Sequence, residues 1–292
     1  MNLFGHVAAP DTAAFLAHLI FLMRAQRAGE QIRQVIQTQF SNLGAFSFRP
    51  QTETVPASFC ADFAGDMLCC VDGANQLGHA AGYAAGLNTE TDFRLYGGLN
   101  TFLAGAGVVI SQHVRDTVST PRQQIRLAGH SMGGAICYAA ARMLADWQTV
   151  GHPSVISFGA PRPGPSEFSE TLSLSSICRW LNEGDAVADI PPRQSQSPLY
   201  FALLSPKGRL NVNRYVHPRG GVMLNSSGGT SPIDAPVEST VDVTLDVATW
   251  MVQATLSITN PHNISAYALR LNTLVSSTPG MCRIPDTPGS GV

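Results

Sequence analysis

Ile125-Arg126-Leu127-Ala128-Gly129-His130-Ser131-Met132-Gly133-Gly134-Ala135 is the stretch on which the fold turns. Residues 124–128 read as a short strand, and the Ala-rich residues 132–147 as a helix. Between them, residues 129–133 fit G-x-S-x-G. A serine on so sharp a strand-to-helix turn is lifted clear of the sheet, with its hydroxyl at the sheet's end. The turn demands its glycines, because the flanking backbones come close enough for a Cβ to clash. Gly134 lets the new helix pack tightly. The helix start also aims backbone N–H groups, that of Met132 first, at negative charge forming beside Ser131.

On either side of this turn the chain alternates between strand and helix patterns. Helical periodicity dominates 12–40, and a loop with Pro50 and Pro56 follows. The apolar run 67–71, closed by Asp72-Gly73, reads as a buried strand and a turn. In the Ala/Gly-rich stretch 76–88, Gly78, Gly82 and Gly86 argue against a rigid helix. Residues 99–118 are helical. Strands are predicted over 154–158, ending at Gly159-Ala160-Pro161, and over 177–181, ending at Asn182-Glu183-Gly184-Asp185. A hairpin is expected from 199–204 and 209–216, a polar loop over 225–239, and helices over 242–256 and 262–274. This alternation predicts an α/β domain over 1–275, a mostly parallel central sheet with helices on both faces, and a Pro/Gly/Ser-rich tail over 276–292. With the serine turn it gives the α/β-hydrolase fold.

A serine hydroxyl is a weak nucleophile at neutral pH. It needs a base, and the base needs an acid to orient it; in this fold they follow in the order Ser, Asp/Glu, His. Downstream of Ser131 the histidines are His152, His217 and His262. His152 comes too early for that order, His217 follows a strand, and His262 lies in a loop that opens the last helix. For the acid, Asp185 stands directly after a strand, where catalytic groups gather in open α/β sheets, and Asp189 is its rival.

Four ordered blocks resemble the class 3 (fungal-type) lipase family. Residues 129–135 are similar to its G-H-S-L-G-G-A block, and Phe158-Gly159-Ala160-Pro161-Arg162-Pro163-Gly164 to its F-G-x-P-R-x-G block. Residues 182–192 resemble its N-x-x-D-x-V-x-x-L-P-P block, and Tyr215-Val216-His217 its Y-x-H strand end. The resemblance implies a triad of Ser131, Asp185 and His262, with Asp189 at a variable position and His217 structural. His262 together with Tyr267 resembles the start of the family's last helix. It also implies a second oxyanion donor, the Ala74 N–H, beside that of Met132. There the chain departs from the family, which usually reads R-G-T or R-G-S. Here Asp72-Gly73-Ala74 replaces the Arg and the hydroxyl residue. The resemblance further implies a lid over about 76–88, with Tyr83 and Leu87 as apolar contacts, and carboxylic esters, lipid or acylglycerol esters among them, as substrates. A short-chain or aryl esterase and a catalytically dead binding protein are the alternative readings.

Composition agrees with such a domain. Hydrophobic residues make up 44% of the 292-residue chain and charged residues 13%, which suffices for a large core and argues against disorder. A net charge of −2 without a basic run gives nucleic-acid binding no support. The apolar stretch 13–23 lacks a basic flank and a cleavage site and is too short to span a bilayer, so a cytoplasmic chain is expected, with a non-classical export route as the alternative. Of the six cysteines, Cys69 and Cys70 sit in an apolar run. No CxxC pair or Cys/His spacing suggests a metal site; the even count permits disulfides without implying them, and the cysteines are expected mainly as free thiols in a reducing compartment. Triad chemistry needs no metal or organic cofactor.

Overall fold

In a computed structural model of the chain, the alternation of patterns becomes a mixed sheet of eight strands among the described residues, in the order β1-β2-β3-β4-β5-β7-β9-β10. The structure describes residues 2–25, 29–74, 77–86, 98–191, 215–233 and 261–277. The strands are β1 (Phe46–Arg49), β2 (Ser58–Phe63), β3 (Asp66–Val71), β4 (Ile125–His130), β5 (Ser154–Phe158), β7 (Ile177–Asn182), β9 (Gly221–Leu224) and β10 (Thr230–Pro232). Neighbours are parallel from β3 through β4, β5 and β7 to β9, and antiparallel at both edges. A separate antiparallel pair joins β6 (Gly164–Pro165) to β8 (Tyr215–Val216).

The described helices are α1 (Pro10–Arg24), α2 (Gly29–Gln39), α3 (Leu77–Gly86), α4 (Thr101–Thr117), α5 (Met132–Met143), α6 (Ser166–Thr171) and α7 (Ile264–Ser277). α1 starts with a proline, whose missing N–H costs nothing in a first turn, and has Asp11 near its start and Arg24 at its end, both matching the helix dipole. α4 is capped by Asn100, whose side chain accepts the N–H groups of Phe102 and Leu103 at 3.0 and 3.4 Å.

Layers cover both sheet faces. In β3, Met67, Cys69 and Val71 join the cluster that contains Leu103, Ile110 and Val114 of α4 and Met132, Ala135 and Ile136 of α5. The alternate residues Leu68 and Cys70 join the opposite cluster, with Phe15, Leu16 and Ile20 of α1 and Tyr267 and Leu271 of α7. Burial on both faces explains why β3 reads as a continuous apolar run rather than an alternation. Five described cysteines, Cys60, Cys69, Cys70, Cys137 and Cys178, are free and buried, while Cys282 lies outside the described residues. Burial pushes the Cys60, Cys70 and Cys137 thiols well up. No described helix is long and apolar enough to cross a membrane.

The helical periodicity over 12–40 is realised, among the described residues, as α1 and α2. Several sequence expectations need correction. The prolines of the following loop are flanked by β1 and β2, which the sequence reading passed over. Residues 77–86 form a helix despite their glycines. Each glycine faces a neighbour that leaves little or no room for a side chain: Gly78 the Glu53 carbonyl, Gly82 the Phe102 ring and Gly86 the Asn100 side chain. Packing thus outweighs their weak helix propensity. Within 225–239, β10 returns to pair with β9 as a hairpin. β8, the end of the expected 209–216 strand, pairs with β6, and the rest of that hairpin lies outside the described residues. So do the 242–256 helix and tail residues 278–292, while α7 takes in Ser276 and Ser277.

Candidate active site

The parallel strands end together, and the residues just past their ends converge. Gly73 and Ala74 follow β3, Ser131 follows β4, Gly159 follows β5, and Asp185 comes three residues after β7. Ser131 has φ 54° and ψ −130°, a left-handed conformation that only an over-determined turn holds in a residue with a Cβ. The turn is that tight. A Cβ on Gly129 would lie 2.6 Å from the Gly134 nitrogen, and one on Gly133 would meet the carbonyl oxygens of Val71 and Asp72.

Three side chains that are far apart in the chain meet above this turn. His262 Nε2 lies 2.8 Å from Ser131 Oγ, and its Nδ1 lies 3.0 Å from both carboxylate oxygens of Asp185. A carboxylate only accepts, so Nδ1 carries the proton and Nε2 is free to accept the serine's. Asp185 also accepts the Val187 N–H at 2.9 Å and the Tyr267 hydroxyl at 2.6 Å. That hydroxyl in turn accepts the Asn182 N–H at 3.0 Å. Burial and the neighbouring Asp185 charge hold the Tyr267 phenol well above its ordinary range, so it stays a donor. Ser131 and His262 are each 2% exposed, which removes the water that would weaken these bonds.

His130, the variable residue of the motif, holds the base from behind. Its Nε2–H donates to the His262 carbonyl at 2.6 Å, and the two rings lie 4.8 Å apart. Burial, His262 and Arg24 push its pKa well down, which keeps it neutral. The Asn182 amide donates to the Pro261 carbonyl at 2.6 Å. The loop before α7 is therefore tied to β4 and β7, and no spacing rule in the sequence pointed to these ties.

The rivals are placed elsewhere. Asp189 pairs with buried Arg162 at 3.0 Å, and Arg162 also donates to the carbonyls of Asp189 and Pro191 at 2.8 and 2.5 Å. The His217 Nε2–H donates to the Ala188 carbonyl at 2.6 Å, and burial pushes that imidazole well down. Tyr83 is buried and donates to the Arg162 carbonyl at 2.8 Å, while Leu87 lies outside the described residues. Among the described residues no His/Cys/Asp/Glu group has the arrangement of a metal site.

The expected oxyanion donors flank the nucleophile. Met132 opens α5, where first-turn N–H groups have no partner within the helix. Gly73 packs directly on the nucleophile, since a Cβ there would lie 2.9 Å from the Ser131 Cβ. The residue after it, Ala74, is buried. Asp72, which replaces the expected arginine, pairs with Arg24 at the end of α1, with Nε and Oδ1 at 3.2 Å. Nothing in the sequence linked residues 24 and 72.

Residues 86–195 match the family described as lipase (class 3). The matched segment includes Ser131, Met132 and Asp185 but not Ala74 or His262. Among solved structures, lipase II from Rhizopus niveus superimposes with a TM-score of 0.52 at 15% identity, covering 87% of this chain and 92% of its own. A fungal lipase–inhibitor complex, solved as a model for interfacial activation in lipases, gives 0.54 at 14%, covering 88% and 92%. At such identities the likeness concerns the fold, which is that of the α/β-hydrolases.

Proposed function

We propose, on the premise that residues 86–195 carry the class 3 lipase pattern, that this chain is a serine carboxylic ester hydrolase acting on lipid or acylglycerol esters. The observation that carries the reading is the buried relay Ser131–His262–Asp185, at 2.8 and 3.0 Å, on a strained strand-to-helix turn. Ser131 Oγ attacks the ester carbonyl while His262 Nε2 takes its proton. Asp185 stabilises the imidazolium that results, and Tyr267 and the Val187 N–H hold that carboxylate in place. The N–H groups of Met132 and Ala74 receive the charge on the tetrahedral intermediate. Collapse expels the alcohol, which takes its proton from His262, and leaves an acyl-enzyme. His262 then activates water to release the acid. The family pattern supports a lipid ester over a short-chain or aryl one.

The test is hydrolysis of a p-nitrophenyl ester series from acetate to palmitate, and of an emulsified triacylglycerol, with Ser131→Ala as control. Activity that rises with chain length and falls by about 10⁴- to 10⁶-fold in Ser131→Ala is the expected result. A preference for acetate would replace the lipase reading by an esterase. Unchanged activity in folded Ser131→Ala would remove Ser131 from the chemistry.

A further inference from the structure

We propose that Arg24 and Asp72 are positioning residues that clamp the turn after β3 and aim the Ala74 N–H at the oxygen of the ester bound over Ser131. The inference rests on the hydrolase reading and concerns one part of its machinery. Asp72 is 0% exposed. Its Oδ1 accepts the Gly73 N–H at 2.7 Å and the Arg24 Nε–H at 3.2 Å. Arg24 Nη2 reaches the Ala74 carbonyl at 3.5 Å. The backbone groups on both flanks of the Ala74 N–H are thus engaged by one ion pair. Among the described residues that N–H itself meets no acceptor.

A donor lowers the barrier only if it already points where charge will form, because reorientation during the reaction would consume the gain. A turn of two small residues, Gly73 and Ala74, has no side chain of its own to fix it. Asp72 and Arg24 supply that stiffness from outside. Gly73 keeps the assembly close: a Cβ there would lie 2.8 Å from Arg24 Nη2, 2.9 Å from Ser131 Cβ and 2.9 Å from His130 Nδ1. The guanidinium and the nucleophile therefore sit against the same glycine. Burial raises the Asp72 carboxyl, and the Arg24 charge and the Gly73 N–H oppose that rise. The other carboxylate oxygen, Oδ2, is buried and has no hydrogen-bond partner among the described residues, a costly arrangement for a group that serves only to tie strand to helix.

The experiment compares wild type, Arg24→Gln, Arg24→Lys and Asp72→Asn on p-nitrophenyl butyrate. It also measures inhibition by butylboronic acid, which forms an anionic tetrahedral adduct with an active serine. Folding is followed by circular dichroism and melting temperature. Arg24→Gln is expected to lower kcat about 10- to 100-fold with KM within about twofold, and to weaken the boronic acid by a similar factor. Arg24→Lys is expected to recover part of the loss, since an ammonium keeps the charge but not the fork that spans two acceptors. It also keeps the test open if Arg24→Gln does not fold. A folded variant with a lower melting temperature but wild-type kcat and boronic acid affinity would make the pair a structural tie and overturn the proposal. A wild-type protein inert towards every ester would instead remove the hydrolase reading itself.

Discussion

At the residue scale, the two histidines and two aspartates that compete on the sequence are separated by what each one touches. His262 meets Ser131 and Asp185, while His217 donates to a backbone carbonyl. His262→Ala should therefore lose activity to the level of Ser131→Ala, and His217→Ala should mainly lower the melting temperature. A folded, inactive His217→Ala beside an active His262→Ala would exchange their roles. The acids divide in the same way. Asp185→Asn should lower kcat by about 10³- to 10⁴-fold, because an amide neither selects the Nδ1–H tautomer nor stabilises the imidazolium. Asp189→Asn leaves the Arg162 guanidinium, itself 1% exposed, with less compensation. Removing one partner of a buried pair costs about 3–5 kcal/mol, so its melting temperature should fall by roughly 5–15 °C while kcat holds. Equal kcat losses in the two variants would show that position after β7 does not select the acid. Ser131, Asp185 and His262 were legible because a strained turn and a strand end each leave a mark in local sequence. His130 and Arg24 were not, since their partners lie 132 and 48 residues away and only the folded chain joins them.

At the element scale, the sequence showed periodicity where one environment runs along a segment and hid it where the neighbours decide. β3, β4, β5 and β7 were readable from their apolar runs. β1 carries aromatic alternation in Phe46-Ser47-Phe48, but Pro50 and Pro56, between β1 and β2, are also what a loop contains, and β2 has no such alternation in Phe59-Cys60-Ala61. α3 was misread because glycine weakens an isolated helix, and the contacts of Gly82 with Phe102 and of Gly86 with Asn100 come from tertiary packing. Two glycines of α4 separate these effects. Gly105 is exposed, and a Cβ there meets nothing within 4 Å. Gly105→Ala should add about 0.5–1 kcal/mol and raise the melting temperature by roughly 1–4 °C, with kcat unchanged. Gly107 is buried, and a Cβ there would lie 2.7 Å from that of Ala139 on α5. Gly107→Ala should cost about 1–3 kcal/mol, because the α4–α5 contact must open. A stabilised Gly107→Ala, read by thermal melting, would show that this contact has slack.

At the scale of the molecule, the fold takes several of its imidazoles out of water, and that sets its response to acid. Burial lowers the pKa values of His18, His79, His113, His130 and His217. His113 shows the effect most directly: it bridges α4 to the β1–β2 edge, with Ser58 and Ser47 hydroxyls at 3.0 Å on its two nitrogens, and falls from 6.5 to about 4. Burial is the main cause, the nearby Arg49 adds to it, and Asp116 opposes it. The sign follows from proton counts. Above pH 6.5 the ring is neutral in both folded and unfolded chains, and it contributes nothing to the pH dependence. As pH falls from 6.5 towards 4, the unfolded chain takes a proton that the fold refuses, so stability drops. The loss is complete below the folded pKa and amounts to at most about 3.5 kcal/mol, at roughly 1.4 kcal/mol per pH unit of pKa difference. His18, His79, His130 and His217 act in the same direction, so the whole protein should be acid-labile across this window. Melting temperatures at pH 7.5 and 4.5, for wild type and His113→Gln, isolate one contribution. The variant should start lower at pH 7.5, having lost the two serine bonds, and should then fall less on acidification, by roughly 4–10 °C. An equal acid drop in both proteins would mean that His113 takes up its proton without leaving the fold, and that the acid response originates in the remaining histidines.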